Sequence, residues 1–221
     1  MSNRKKVDFS FRRDKGITGQ LLYLLYRQNF FNLKKLVLKL LWYVLGKHYQ
    51  FYSLSLRKML KDVHGIEVGL YSHGGCCTPG NFPPGTHVGR YCSIGASAQA
   101  HRNHPIQTIS SHAFFFNPNL GYITGQYLPD SELSIGSDVW IGQNVNILSS
   151  CTEIGHGAVI GAGAVLNKNV PPYAVVLGNP GRIVRYRFSE ERIAELLQSK
   201  WWEKDIEELA DQIEEFKISK Q

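Results

Sequence analysis

Three histidines lie within twelve residues of one another in an irregular stretch of the chain, at His101, His104 and His112. Imidazole titrates near neutral pH, so a histidine on an exposed segment can take the proton of a hydroxyl group as that oxygen attacks an acyl carbon. Three histidines can also bind a zinc ion, provided that their ring nitrogens converge on it. The residue types alone therefore allow two chemistries, general base catalysis and a metal site.

A repeat of six residues flanks this stretch on both sides. Ile147 and Leu166 belong to the repeat, and one step of seven residues, from 147 to 154, predicts an extra residue near Thr152 and Glu153. An aliphatic residue followed by glycine recurs at Val88, Ile94, Ile135, Ile141, Ile154 and Ile160. This period is typical of a parallel β-helix, in which the aliphatic side chain points inward in every coil and glycine permits the tight corner.

The repeat is interrupted between residues 100 and 133, and the three histidines lie in this interruption. It also contains three consecutive aromatic residues, Phe114 to Phe116. Long insertions in a compact domain are frequently functional. We therefore expect residues 63–188 to form a β-helix domain, from which the inserted loop 100–133 projects with its reactive groups.

Apolar residues at helical spacing dominate both flanks of the β-helix. Residues 1–62 are predicted to form a basic helical extension, with two or three amphipathic helices between residues 18 and 60. This extension either packs on a neighbouring element or subunit or makes peripheral contact with an anionic membrane. Residues 189–221 are predicted to form a C-terminal helix that Ser189 caps and Trp201-Trp202 interrupts.

Charge and cysteine content limit the classes of protein to which this chain can belong. Residues 1–62 hold 14 Lys and Arg against 3 Asp and Glu, and no nucleic-acid-binding motif accompanies this charge, so we expect no nucleic acid partner. The N-terminus lacks a signal-peptide pattern, and the most apolar stretch, 36–46, is too short to cross a bilayer. Four cysteines without a CxxC spacing are too sparse for a disulfide scaffold, which predicts a reduced, cytoplasmic protein.

The segment 135–188 contains DVWIG, GAVIGAGAV, VPPYA and GNP in this order. Together with Asn103-His104-Pro105 upstream and Trp201-Trp202 downstream, it resembles the hexapeptide acetyltransferases, most closely their xenobiotic (chloramphenicol and streptogramin) branch. The resemblance covers residues 88–204. It implies a mainly β fold built on a left-handed parallel β-helix, a homotrimer with active sites between subunits, and acetyl-CoA as the donor without a metal. The first 60 residues resemble, more weakly, the helical extensions of relatives that O-acetylate surface polysaccharides.

The resemblance also implies roles for single residues. His104 is the general base, with His101 as the second candidate, and Asn103, His101 and His112 contact the acceptor. Main-chain groups bind the pantetheine of CoA, polar and basic side chains bind its phosphates and ribose, and a proline meets the adenine. These CoA-binding positions are, in chain order, Gly142, Gly161, Ala162, Asn167, Lys168, Pro180, Arg182 and Arg185. Trp140 points outward from the repeat and is predicted to lie at a subunit interface or in a ligand wall.

The acceptor is the least determined part of the reaction. The loop reads His104-Pro105-Ile106-Gln107 and lacks the acidic residue and glycine that often follow the histidine in drug-modifying members. We therefore expect O-acetylation of a sugar hydroxyl, on a surface polysaccharide or its precursor, with an antibiotic hydroxyl as the alternative and a sugar amine as the third choice. Two other classes stay open, a zinc protein of the carbonic anhydrase type and a non-catalytic scaffold.

Overall fold

The computed structural model describes residues 17–28, 36–41, 43, 48–125 and 132–217 of the 221-residue chain. The described residues form thirteen short strands. They are β1 (Ile66–Val68), β2 (His73–Gly74), β3 (Thr86–Val88), β4 (Ser93–Ile94), β5 (Gln99–Ala100), β6 (Leu133–Ile135), β7 (Trp140–Ile141), β8 (Asn146–Ile147), β9 (Glu153–Ile154), β10 (Val159–Ile160), β11 (Val165–Leu166), β12 (Ala174–Leu177) and β13 (Arg182–Tyr186).

These strands make three sheets, and the chain visits the sheets in rotation. Sheet A has the order β1-β3-β6-β9, sheet B the order β13-β12-β10-β7-β4-β2, and sheet C the order β11-β8-β5. Neighbouring strands are parallel except for the antiparallel pair β12 and β13. A chain that returns to the same sheet once per turn, always in the same direction, is a three-sided parallel β-helix, as the six-residue period predicts.

Aliphatic side chains fill the inside of the coils in vertical stacks. On sheet B, Ile141 pairs with Ile94 on one side and with Ile160 on the other, and Ile160 pairs with Val176. None of the four side chains is more than 4% exposed. Burying one such side chain contributes about 1.5–3 kcal/mol, so each coil is stabilised mainly by the coils above and below it.

The corner between sheets A and B is unusual because four of its five coils turn without glycine. Tyr71, Tyr91, Asp138 and Tyr173 have positive φ angles of 57° to 67°, and Gly157 fills the fifth corner with a φ of 68°. The left-handed conformation costs a non-glycine residue about 1–2 kcal/mol. Ring packing offsets part of this cost, since the rings of Tyr71 and Tyr91 stack with centroids 4.6 Å apart.

The step of seven residues in the repeat is accommodated at the corner between sheets C and A. Asn169 of the following coil caps this corner, because its Oδ1 accepts hydrogen bonds from the backbone N–H groups of Thr152 (2.8 Å) and Glu153 (3.1 Å). The strands on either side keep their register with the neighbouring coils. The extra residue near Thr152 therefore widens a turn and leaves the core stacks intact.

The N-terminal helices are α1 (Ile17–Arg27), a helical segment at residues 36–41, α2 (Tyr49–Tyr52) and α3 (Leu54–His64). Helix α3 begins where the Ser53 hydroxyl accepts the N–H of Leu56 (3.0 Å) and ends at Gly65, whose φ is 66°. Its apolar face, which includes Met59, belongs to the same buried cluster as the aliphatic stacks. Residue 62, the predicted end of the helical extension, thus lies inside a helix that packs directly on the first coil.

Arg57 fastens this helix to the first coil through main-chain carbonyl groups. Its Nη2 donates to the carbonyl oxygens of Gln50 (2.8 Å) and Gly69 (3.0 Å), and its Nη1 donates to that of Ser53 (2.9 Å). Hydrogen bonds from a charged donor are stronger than those between neutral groups. The helical extension and the β-helix are therefore joined by both apolar packing and a guanidinium clamp.

The C-terminal segment is helical and is interrupted at Trp201-Trp202, as the sequence predicts, but its second helix is short. The Ser189 hydroxyl does cap a helix, α4 (Glu190–Ser199), by accepting the N–H of Arg192. This helix ends at Lys200, which adopts a φ of 43°, and α5 (Ile206–Leu209) is only one turn long. Residues 218–221 lie outside the described part of the chain.

The break between α4 and α5 arises because side chains there pack on the β-helix. The ring of Trp202 stacks on His156 with centroids 4.4 Å apart, and Asp205 forms an ion pair with Arg90. The C-terminal segment follows the corner between sheets A and B because these contacts hold it there.

Candidate active site

The inserted loop leaves the β-helix from sheet C, immediately after β5. The backbone N–H of His101 still donates to the carbonyl oxygen of Ile147 (2.8 Å), as a sheet residue would. Beyond this residue the described part of the loop, 102–125, contains short 3₁₀ turns at 113–115 and 118–120 and no strand. His101 therefore sits where the rigid sheet ends and the exposed loop begins.

His101 is held in one orientation by Asn146 of strand β8. The Nε2 atom of His101 lies 2.9 Å from Oδ1 of Asn146. The amide nitrogen of Asn146 donates to the carbonyl oxygen of Asn144 (3.2 Å), which fixes Oδ1 on the side facing His101. An amide oxygen only accepts, so Nε2 of His101 is the donor in this contact.

His104 lies three residues further along the loop and is exposed. Its backbone N–H donates to Oδ1 of Asn103 (2.9 Å), so this asparagine shapes the turn that carries the histidine. The imidazole meets the ring of Phe116 edge-on, with centroids 4.7 Å apart. Within the described residues, neither ring nitrogen of His104 has a hydrogen-bond partner, so both are open to a substrate.

His112 has a local structural contact in the same loop. Its Nδ1 accepts the N–H of Phe114 (3.3 Å), and its ring packs against the Phe114 ring at 4.7 Å. Phe114 in turn packs on Tyr122, with centroids 5.1 Å apart. Phe114 and Tyr122 are 47% and 76% exposed.

The three glycine and alanine positions predicted to bind pantetheine come together at the corner between sheets B and C. Gly142 lies directly below Ala162 in the next coil, and a methyl group on Gly142 would be 2.5 Å from the Ala162 nitrogen. The N–H groups of Gly142 and Gly161 already donate to Ile160 and Val176 within the ladder. The Gly142 N–H is therefore not free to stabilise an oxyanion.

Of the positions predicted to bind CoA phosphates, three meet in one place. Asn167, Lys168 and Arg182 line a shared pocket of about 230 Å³ between the end of β11 and the start of β13. Pro180 belongs to the turn that precedes β13, and its peptide bond with Asn179 is cis. Arg185 lies apart from this pocket, on the exposed edge strand β13.

A line of polar side chains that the sequence did not predict links the corner of Gly142, Gly161 and Ala162, here called the glycine corner, to the base of the loop. The Ser97 hydroxyl donates to Oε1 of Gln143 (2.7 Å) and accepts from the N–H of Asn144 (3.0 Å). Asn144 contacts Asn146, which holds His101. The only signal in the sequence was a run of amides at outward positions of the repeat, directly after Gly142.

The described residues contain no group of three or more histidine, cysteine or acidic side chains arranged to hold a metal ion. His101, His104 and His112 each contact a different partner: Asn146, Phe116 and Phe114. The cysteines Cys76, Cys77, Cys92 and Cys151 are free and buried.

Curated proteins that resemble this chain are acetyltransferases by name. A chloramphenicol acetyltransferase of Agrobacterium fabrum is 43% identical over 125 residues, which are 52% of this chain and 58% of that protein. A probable macrolide acetyltransferase of Lysinibacillus sphaericus is 36% identical over 134 residues, which are 58% of this chain and 74% of that protein. The chain belongs to the hexapeptide-repeat acetyltransferases. Because both names refer to antibiotics, the match lies in the xenobiotic branch of this family.

Coverage of these relatives is partial, and no protein-family profile matches the chain. The chain spans 58% of the Agrobacterium protein and 62% of an Escherichia coli chloramphenicol acetyltransferase to which it is 38% identical over 131 residues, or 56% of this chain. Among solved structures, a maltose O-acetyltransferase from Clostridium difficile aligns with 82% of this chain and 89% of its own, at 21% identity and a TM-score of 0.39. A polySia-specific acetyltransferase aligns with 61% of this chain and 63% of its own, at 22% identity and a TM-score of 0.40. TM-scores this low support no conclusion about the chain.

Proposed function

We propose that the protein transfers an acetyl group from acetyl-CoA to a hydroxyl group, with His104 as the general base. The observation that carries this proposal is His104 itself, an exposed imidazole with two open nitrogens on the loop inserted into an acetyltransferase β-helix. The histidine nitrogen takes the hydroxyl proton while the oxygen bonds to the thioester carbon. The carbon–sulfur bond then breaks, and the proton is passed to the departing CoA sulfur.

The donor is proposed to lie along the glycine corner, with its phosphates in the pocket of Asn167, Lys168 and Arg182. Two cationic side chains beyond a corner lined by glycine and alanine suit a molecule with a thin pantetheine arm and a charged nucleotide end. Holding donor and acceptor together supplies much of the rate acceleration in a direct transfer, so no covalent enzyme intermediate is needed.

The acceptor is proposed to be a sugar hydroxyl of a surface polysaccharide or its precursor. Support comes from the loop, which departs from drug-modifying members after His104 and exposes Phe115 and Tyr122 by 60% and 76%, offering apolar faces to a sugar ring. The antibiotic relatives favour a second candidate, a hydroxyl of a chloramphenicol-like or macrolide-like compound. Both acceptors require the same base and the same donor.

Assembly as a trimer is part of the proposal, with left-handed coils and active sites between subunits. Trp140 supports it, since this side chain stands 55% exposed on the outer face of sheet B, between Ser93 and Val159. A large exposed ring on a flat sheet suits packing against another subunit. Light scattering of the wild type and of Trp140→Glu tests the assembly, and a wild-type monomer that is fully active would refute it. An experimental structure tests the handedness of the coils.

The decisive experiment measures thiol release from acetyl-CoA with sugars, oligosaccharides, chloramphenicol and a macrolide as acceptors. We expect His104→Ala to lower kcat by about 10²–10⁴-fold, whereas the matched control His87→Ala, on the outer face of sheet A, retains wild-type turnover. Wild-type rates in His104→Ala together with a collapse in His101→Ala would transfer the role of base to His101. Faster turnover with the antibiotics than with the sugars would identify an antibiotic as the acceptor. Absence of turnover together with absence of CoA binding would refute the proposed acetyltransferase activity.

A further inference from the structure

Helix α1 has two apolar sides, of which the structure covers one. Leu22 and Tyr26 are only 7% and 1% exposed and pack towards helix α3. Leu21, Leu24 and Leu25 are 55%, 54% and 36% exposed. Residues three and four positions apart are neighbours on a helix, so these three side chains form one continuous strip, here called the leucine ridge.

The next helical segment has the same division between covered and open side chains. Val37 and Leu41 are completely buried, whereas Leu36 is 50% exposed and the nearby Tyr43 is 82% exposed. Single exposed apolar residues are common on protein surfaces, but contiguous apolar strips mark sites of interaction. The leucine ridge therefore has the character of a contact surface.

The charge of the surrounding sequence indicates what this surface contacts. Residues 1–62 contain 14 basic and 3 acidic residues, whereas residues 63–221 contain 11 basic and 15 acidic residues. Arg27, at the end of α1, and Lys39, in the next helical segment, are both exposed. An apolar strip within a strongly basic segment complements a surface that combines hydrocarbon with negative charge.

We propose that the leucine ridge and the basic residues of the extension bind the protein to a bilayer of anionic phospholipids. The ridge inserts between the headgroups, and the basic side chains contact the phosphates. This mode needs a helix lying in the plane of the membrane, and none of the described helices is long and apolar enough to span it. A second copy of the same segment is a poorer partner, because two basic extensions would repel each other.

The test is sedimentation of the full chain with vesicles of phosphatidylcholine alone and of phosphatidylcholine mixed with phosphatidylglycerol. We expect binding to the mixed vesicles only, with weakening at high salt because ions screen the attraction. The double variant Leu21→Gln/Leu24→Gln is expected to bind at least about tenfold more weakly, since two leucines lose their burial in the bilayer. Both leucines are already exposed in the protein, so its melting temperature should stay at the wild-type value.

A matched control replaces two exposed apolar residues elsewhere, Val184 (54% exposed) and Ile213 (37% exposed), by glutamine. This control is expected to bind the mixed vesicles like the wild type. Equal binding by the leucine double variant, or absence of wild-type binding to the mixed vesicles, would overturn the proposal. A change in the oligomer mass of the leucine variant without vesicle binding by the wild type would assign the ridge to contact between copies. Acetyl transfer to a soluble acceptor is a separate readout, so failure here leaves the catalytic proposal untouched.

Discussion

Replacing Gly142 by alanine tests the glycine corner, where the main chains of adjacent coils lie in close contact. The added methyl carbon would lie 2.5 Å from the backbone nitrogen and 2.8 Å from the Cα of Ala162. Such contacts are essentially never shorter than 3.0 Å. The two coils must therefore separate locally by at least about 0.5 Å, since the contacted atoms belong to the main chain and cannot swing aside.

This separation acts on two ladder hydrogen bonds. The Gly142 N–H donates to the Ile160 carbonyl, and the Gly163 N–H donates to the Gln143 carbonyl, each at a distance of 2.8 Å. Each such bond contributes about 0.5–1.5 kcal/mol net. We therefore expect Gly142→Ala to lower the free energy of unfolding by about 1–3 kcal/mol and to raise the KM for acetyl-CoA, because the methyl group distorts the proposed pantetheine wall.

Gly163→Asn provides the matched control at the same corner. Gly163 has a φ of 72° and no atom within 4 Å of an added Cβ. Asn144 occupies the equivalent position of the preceding coil with a φ of 57°. Asparagine tolerates this conformation better than other side chains, so the control should change stability by less than about 0.5 kcal/mol.

Urea denaturation measures the stability of the two variants, and steady-state kinetics measures their KM for acetyl-CoA. If Gly142→Ala is as stable as the wild type, or if Gly163→Asn is the more damaging change, the coils are not stacked as described. If Gly142→Ala loses stability while its KM for acetyl-CoA is unchanged, the stacking holds and the pantetheine wall lies elsewhere.

Three further substitutions test other contacts. Arg57→Leu removes the clamp on main-chain carbonyl groups and should lower the free energy of unfolding by about 3 kcal/mol, whereas unchanged thermal unfolding would show that the clamp is not formed. Burial lowers the pKa of His156, and its Nδ1 accepts the Ser137 N–H. The stability from its neutral ring is therefore present above pH of about 6.5 and lost as pH falls through the lowered pKa. His156→Asn keeps an acceptor without titrating, so its melting temperature should fall less between about pH 7 and pH 5, and an identical fall would contradict this role. Asn146→Ala should lower kcat/KM for the acceptor about tenfold, because it releases His101. Asn146→Asp should retain most of the activity. Wild-type kinetics in the alanine variant would show that the contact between Asn146 and His101 plays no part in the site.

Periodicity determined the β-helix, because a repeat of one aliphatic residue every six positions has no other efficient way to be buried. The inward positions, the interruption at 100–133 and the wider turn near Thr152 all follow from counting along the chain. The same local rules located the Ser189 cap of helix α4. Each of these features depends on residues close in sequence, so the sequence is sufficient to predict them.

The remaining features depend on residues that meet only when coils stack. Tyr71 and Tyr91 adopt a left-handed conformation because neighbouring rings pack around them, which no local pattern signals. The interruption at Trp201-Trp202 is visible in the sequence, but the contact of Trp202 with His156 on the β-helix is not. Asn146 contacts His101 across 45 residues, and the hydrogen bond from its side-chain amide to the Asn144 carbonyl turns Oδ1 towards the imidazole. The sequence by itself thus determined the scaffold and pointed to the candidate histidines, whereas only the tertiary structure decided how His101 is oriented, since such contacts arise between coils and not along the chain.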